Sequence, residues 1–239
     1  MGQVIAFSDL HGNYELWTAI KNYYGKNDTL IFLGDACDRG PDGIKIIQEL
    51  LQDPRVIYLC GNHEKNLLEY INKGLDKVDS LDTVLIERNG ATETLKAFKE
   101  LNDLEQKKIV NALNNLRYSY LYINKEKKNI FLSHAGIDFE QINNYTNNDL
   151  LWNREVIKEK TWDNKYKHWY IVHGHTPIPI LLEEMSMYCD DIPRDGEVEP
   201  GAYYYAKGHK IDIDCGAHFT DTTVLLNLDN FSEKVFRVE

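Results

Sequence analysis

"IFLGDACDRG", residues 31–40, is the stretch on which the reading of the chain turns. The apolar run Ile31-Phe32-Leu33 has the character of a buried strand, and it stops at Gly34 just ahead of Asp35, Asp38 and Arg39. Two carboxylates and a guanidinium directly beyond a buried strand are costly to desolvate unless they are paired or bound to a cation. The stretch therefore predicts a ligand site at a strand end. If several strands build that site, the same event should recur elsewhere in the chain.

It recurs four more times. "IAFSDLHGN" (5–13) ends in Asp9 and His11, and "IYLCGNHE" (57–64) in Asn62, His63 and Glu64. "IFLSHAG" (130–136) ends in His134, and "YIVHGHTP" (170–177) in His173 and His175. Amphipathic segments separate the first three: "NYELWTAIKNYY" (13–24) gathers Leu16, Trp17, Ile20 and Tyr24 on one side. "PDGIKIIQELLQ" (41–52) reads as a helix with Pro41 at its start, and "HEKNLLEYINKG" (63–74) as one ending at Gly74. Strands separated by helices of this length predict right-handed parallel crossovers and an α/β fold. In such folds ligands gather beyond the carboxyl ends of the strands. Carboxylates, imidazoles and an amide converging there form a metal-ligand set that suits Mn, Fe or Zn better than Ca.

At 239 residues, with nothing that reads as a linker, a single domain spanning 1–239 is expected. Hydrophobic residues at 43% and charged residues at 27% are ordinary for a soluble protein. The net charge of -11 argues against gripping long nucleic acid through its backbone. No apolar run approaches the ~20 residues a membrane span needs, and no signal peptide is apparent. Cys37, Cys60, Cys189 and Cys215 are scattered without a CxxC pair, which fits a reducing, cytoplasmic location. Cys37 and Cys60 read as small packing residues near the site, open to oxidation.

Residues 80–117 turn helical and polar, and the region 64–128 reads as an inserted helical module. "YSYLYINKEKKNIFLSH" (118–134) alternates around a charged turn and predicts a hairpin. "HWYIVHGH", "HKIDIDCGA" and "DTTVLLNLDN" supply later strands, and 183–208 is an acidic, turn-rich surface excursion.

Taken in order, DLHGN, GDACDRG, GNHE, SHAG and HGHTP resemble the calcineurin-like metallophosphoesterases, and within them the phosphoprotein-phosphatase branch with its small bacterial and phage members. The resemblance runs from residue 4 to about 226 and is specific only at the motifs. It implies two packed mixed β-sheets flanked by helices, and a site for two divalent ions, manganese first, with iron, zinc or nickel as alternatives. By that resemblance Asp9 and His11 hold the first ion, Asp35 bridges both, and Asn62, His134 and His175 complete the second. Asp38 orients His63, which serves as the general acid, while Arg39 and Asn62 contact the substrate's phosphate. "LLWNRE" (150–155) is a looser match that supplies Arg154 as a second phosphate-binding residue. The implied reaction is in-line attack by a water shared between the ions, with no phospho-enzyme. The chain offers neither a GxSxG elbow nor a Cys-x5-Arg loop for a covalent route.

A Ser/Thr protein phosphatase-type enzyme is the first reading, with a phosphorylated protein as substrate. The alternative is a dinucleoside polyphosphate hydrolase of the diadenosine tetraphosphate type. A nucleic-acid end-phosphatase comes third, and a silent phosphate-binding scaffold is the non-enzymatic reading. Many relatives carry Arg or Lys before GNHE where this chain has Cys60, which weakens a strict protein-phosphatase assignment. Outside the motifs the plain readings are preferred. His173 packs beside the site, and His168, His209 and His218 are surface or loop residues. Glu64 complements a helix start, and Trp152 and Trp169 belong to the core.

Overall fold

The computed structural model describes residues 2–74, 80–138, 144–158, 161–180, 182 and 200–238. Its first third alternates strand and helix: β1 (Val4–Phe7), α1 (Tyr14–Tyr23), β2 (Thr29–Phe32), α2 (Gly43–Gln52), β3 (Val56–Tyr58) and α3 (Asn62–Lys73). β1 pairs β2 in parallel with Val4 opposite Thr29, and β2 pairs β3 in parallel with Leu30 opposite Val56. Gly74 ends α3 at φ 86°. α2 begins at Gly43, two residues beyond Pro41. The left-handed residues Asp38 and Arg39 (φ 68° and 66°) prolong the preceding turn and delay the helix.

Helices α4 (Ser80–Asn89), α5 (Thr92–Glu100) and α6 (Asp103–Asn114) follow. Then come β4 (Ser119–Ile123) and β5 (Asn129–Ser133), an antiparallel hairpin with Ser119 opposite Ser133. Later elements include α7 (Asn147–Trp152), β6 (Trp169–His173), β7 (Tyr203–Tyr205), β8 (Lys210–Asp212), a short helix at Ala217–Thr220, β9 (Thr222–Asn227) and β10 (Glu233–Arg237). The strands form two mixed five-stranded sheets, ordered β10-β9-β1-β2-β3 and β4-β5-β6-β8-β7. β10 was not expected from the sequence: four of its five residues are exposed, so it lacks the apolar alternation that marks a half-buried strand. Most of the acidic excursion, 183–199, lies outside the described residues, and its end at Tyr203–Tyr205 forms β7.

Strand side chains alternate between faces, and that period of two divides the core. Ala6, Ile31 and Leu33 point toward the second sheet and meet Ile130, Leu132, Val172 and Ile211. Ile5, Phe7, Leu30 and Phe32 point the other way, onto Leu16, Trp17 and Ile20 of α1 and Ile44 and Ile47 of α2. With the sheets packed face to face, the strand ends of β1, β2 and β3 open toward those of β5 and β6. That junction is where the polar motifs meet.

Candidate active site

Immediately after the strands the backbone turns sharply. Asp9, His11, Asp35, Asp38, Arg39 and His175 all adopt positive φ, between 44° and 73°. Such conformations cost non-glycine residues about 1–3 kcal/mol each and persist where the surrounding structure enforces them. Here the loops bond to one another: Asp9 N–H donates to Gly34 O (3.0 Å), His11 N–H to Asp35 O (2.9 Å) and Gly12 N–H to Ala36 O (2.9 Å). The carboxylate of Glu64, fully buried, accepts from the backbone N–H groups of Asp35, Ala36 and Gly61 at 2.7–2.8 Å, and from Tyr58 Oη at 2.9 Å. Glu64 thus does more than complement the start of α3: it clasps the loops after β2 and β3. Gly61 is required by proximity, because a Cβ there would collide with the Asp35 carboxylate.

These turns aim the side chains at one another. Asp35 Oδ2 lies 3.7 Å from His11 Nε2, 3.8 Å from His63 Nε2 and 3.4 Å from His134 Nε2. Two groups of possible ligands share Asp35: His11, Asp35 and His63, and Asp35, His134 and His175. Asp9 joins the first, its Oδ1 3.9 Å from His11 Nε2. Asn62 joins the second, its Oδ1 2.7 Å from His134 Nε2 and 2.9 Å from His175 Nδ1. Backbone carbonyls hold the far ring nitrogens: His11 Nδ1 donates to Cys37 O (3.0 Å) and His134 Nδ1 to Leu33 O (3.1 Å). That leaves each Nε2 lone pair facing inward, the tautomer a metal ligand needs.

The charge balance shows what is missing. His134 Nε2, His175 Nδ1, Asn62 Oδ1 and Asp35 Oδ2 converge as acceptors, so the point between them calls for positive charge. With protein atoms alone a proton must supply it. Burial opposes that proton, yet Asp35 and Asp9 outweigh burial and push His134 up to about 9. His11 and His175, desolvated and facing other cationic groups, are held well below the usual histidine range. Asp9 Oδ1 and His175 Nε2 are buried without a hydrogen-bond partner among the described residues. The orphaned Asp9 carboxylate oxygen and the inward lone pairs fit divalent cations as the missing charge.

His63 sits in the first group but is bound differently. Its Nδ1 lies 2.6 Å from Asp38 Oδ2, while burial is outweighed by Asp35 and Asp38, which raise it. With Nδ1 engaged by Asp38, the His63 ring turns Nε2 toward Asp35 and sets a charged pair beside the first ligand group. Asp38 is itself placed by Thr94, whose Oγ1 accepts the Asp38 N–H (2.9 Å), and Arg39 N–H donates to Gly90 O (2.8 Å). Neither Thr94 nor Gly90 was singled out from the sequence, where both read as ordinary residues of a helical stretch.

Arg39 is exposed at the rim, its Nη1 3.2 Å from His218 Nδ1. His218 is therefore more than a loop residue: it is a neighbour of Arg39, and its ring meets His11 edge-on at 5.3 Å. Arg154 is exposed, and its charge bears on His175. Trp152 is 42% exposed and meets the His175 ring edge-on at 6.1 Å, so it does not belong to the core. His173 packs beside the site, with Nδ1 donating to Gly174 O (3.0 Å) and Nε2 2.6 Å from Tyr205 Oη. His209 is stacked between Trp162 and Tyr170, each 4.8 Å away. Cys37 and Cys60 are buried, and burial pushes both thiols up, so oxidation of either is disfavoured.

Two packed mixed sheets with carboxylates and imidazoles gathered at their strand ends define a metal-dependent phosphoester hydrolase. The chain belongs to the calcineurin-like phosphoesterase family, whose model matches residues 2–219. Among curated relatives, the bis(5'-nucleosyl)-tetraphosphatase PrpE [asymmetrical] of Bacillus subtilis is 29% identical over 199 residues, 72% of this chain and 78% of the relative. A crystal structure of a candidate diadenosine tetraphosphatase superposes with a TM-score of 0.65 at 15% identity, covering 98% of this chain and 93% of the other. A Saccharomyces cerevisiae protein serine/threonine phosphatase superposes with a TM-score of 0.58 at 13% identity, covering 100% and 80%. At such identities the two superpositions carry the fold alone. Among the described residues, no helix is long and apolar enough to cross a membrane.

Proposed function

We propose that this hydrolase cleaves dinucleoside polyphosphates of the diadenosine tetraphosphate type, ahead of the phosphoprotein reading that the motifs favoured. The observation that carries this reading is the likeness to a curated tetraphosphatase over 72% of the chain. Cys60, standing where many relatives carry Arg or Lys, removes a positive charge near the phosphate site and weakens the protein-phosphatase reading.

In this reading Asp9, His11 and Asp35 hold one divalent ion, and Asp35, Asn62, His134 and His175 hold the other, with manganese the first candidate. When bound, such ions supply an activated water and neutralise charge on the phosphate. Arg39, with Arg154 across the site, orients the phosphate and offsets the charge that builds on its outer oxygens. His63, kept protonated by Asp38, gives its proton to the departing oxygen as the phosphorus–oxygen bond breaks. Water adds its oxygen to phosphorus in the same displacement and gives up a proton to solvent, so both products are nucleotides ending in a phosphate group.

The test is kcat/KM of the Mn(II)-loaded protein on diadenosine tetraphosphate, a phosphoserine peptide and a 5'-phosphorylated oligonucleotide, side by side. Preference for the dinucleotide is expected, and separating ATP plus AMP from two ADP identifies the bond cut. Preference for the peptide would restore the protein-phosphatase reading, and preference for the oligonucleotide the end-phosphatase reading. Metal uptake without turnover of any of the three would leave the scaffold.

A further inference from the structure

A cleft adjoins the site on the side of His175, and Asp138, Trp152 and Val156 line it. Trp152 is the unusual element. A large indole at the end of α7 stands 42% exposed although Leu150 and Leu151 beside it are buried. One edge is fixed against the His175 ring, so the indole is held in place while part of its surface faces solvent. Asp138 is the second observation. Its Oδ1 is shielded from solvent and has no hydrogen-bond partner among the described residues. A shielded carboxylate oxygen without a donor favours a ligand that brings one. Beside an exposed indole, the ligand chemistry that satisfies both is a flat ring carrying an amino group.

We infer that this cleft is a nucleobase subsite, in which the base stacks on Trp152 and its exocyclic amine donates to Asp138. The inference rests on the nucleotide reading of the active site and names what lies beyond its phosphates. Stacking on an aromatic side chain accepts any base, whereas a carboxylate discriminates. Adenine presents an amine where hypoxanthine presents a carbonyl, so the subsite favours adenine. A second open cleft, lined by His11, Tyr14, Arg39 and His218, adjoins the other ligand group. A site with an open cleft at each of its two ligand groups suits a substrate that carries a nucleoside at both ends.

The test uses probes that resist hydrolysis, titrated calorimetrically into the Mn(II)-loaded protein: adenosine 5'-(α,β-methylene)diphosphate, its inosine counterpart, and methylenediphosphonate, which has no base. The wild type is expected to bind the adenosine probe about 10-fold or more tighter than methylenediphosphonate. Trp152→Ala should erase that difference by weakening the adenosine probe about 10-fold more than methylenediphosphonate, and Trp152→Phe should keep most of it. Asp138→Asn, nearly isosteric, should lower or reverse the preference for adenosine over inosine, and it tests the subsite even if Trp152→Ala fails to fold. Unchanged ratios in both variants would overturn the inference, even for an enzyme that turns over diadenosine tetraphosphate. Conversely, if the wild type ignores that substrate while Trp152→Ala still loses the adenosine preference, the subsite stands and the proposed substrate falls.

Discussion

Glu64 accepts the backbone N–H of Asp35 at 2.8 Å, although Glu64 lies in the first turn of α3 and Asp35 in the loop after β2. The same carboxylate takes the N–H groups of Ala36 and Gly61, so one buried side chain sets the path of the chain at the residue shared by both ligand groups.

Replacing Glu64 by Gln keeps the shape but turns an amide NH2 toward backbone donors. A buried donor left facing another costs about 1–3 kcal/mol. At about 2–4 °C per kcal/mol for a domain of this size, the melting temperature should fall by several degrees. Metal affinity should fall about 10- to 100-fold, the usual effect of losing a residue that supports the ligands. Calorimetric melting and metal titration of the variant check both, and native metal affinity would show that Asp35 is placed without Glu64.

The Asp38–His63 contact at 2.6 Å makes a graded prediction. A nucleotide leaves as a phosphate, a far weaker base than the alkoxide of serine, and so needs less help from an acid. His63→Asn should slow hydrolysis of a phosphoserine peptide by about 10²–10⁴, the range for a lost general acid, and slow diadenosine tetraphosphate distinctly less. Equal slowing on both substrates would remove His63 from proton donation. Metal content should stay at the wild-type level throughout.

Gly90 adopts φ 70°, and a Cβ there would stand 2.9 Å from the Arg39 Cα and backbone N. Gly90→Ala should therefore shift Arg39 and weaken inhibition by inorganic phosphate by about tenfold, since small displacements of positioning groups are costly. The readout is the phosphate inhibition constant beside the melting temperature. A lowered melting temperature with unchanged inhibition would mean that Arg39 does not grip phosphate.

Away from the site, Arg55 donates to both oxygens of Asp53 and to the carbonyls of Lys21 and Tyr24, closing the end of α1 against α2. Those hydrogen bonds hold the Asp53 carboxyl below its ordinary range. Near pH ~4, where free Asp titrates, the unfolded chain then binds more protons than the folded one. The contribution is complete above that pH and is lost as pH falls through the depressed folded value. Asp53→Asn should cost about 1–2 kcal/mol at pH 7 and much less at pH 3, measured by urea unfolding at both. A cost independent of pH would show that packing, and not the charge, matters at Asp53.

What the sequence disclosed followed the density of its signals. Asp9, His11, Asp35, Asn62, His134 and His175 could be gathered because each ends an apolar run, and strand ends converge in an α/β fold. Trp152 could not be read as exposed, because "DLLW" has the apolar look of a buried turn and only packing shows which of its side chains turn inward. His218 lies 179 residues from Arg39 along the chain, and nothing local announces the pairing. The same holds for Thr94 with Asp38, a contact between a helix and a distant loop. β10 escaped notice because, exposed and charged, it needs no apolar stripe to pair with β9.

The hydrogen bonds from Asp38 N–H to Thr94 and from Arg39 N–H to Gly90 have a thermal consequence. The residues of the two ligand groups follow the ends of strands in two sheets, and the backbone N–H groups of Asp38 and Arg39 lean in addition on α5 and on the turn before it. Helical modules at the margin of a domain open at lower free energy than its central strands. With the roles proposed above, warming that opens α5 would loosen Arg39 and Asp38 before the strand ends, so hold on substrate would fail at a lower temperature than hold on the ions and return on cooling without reloading them.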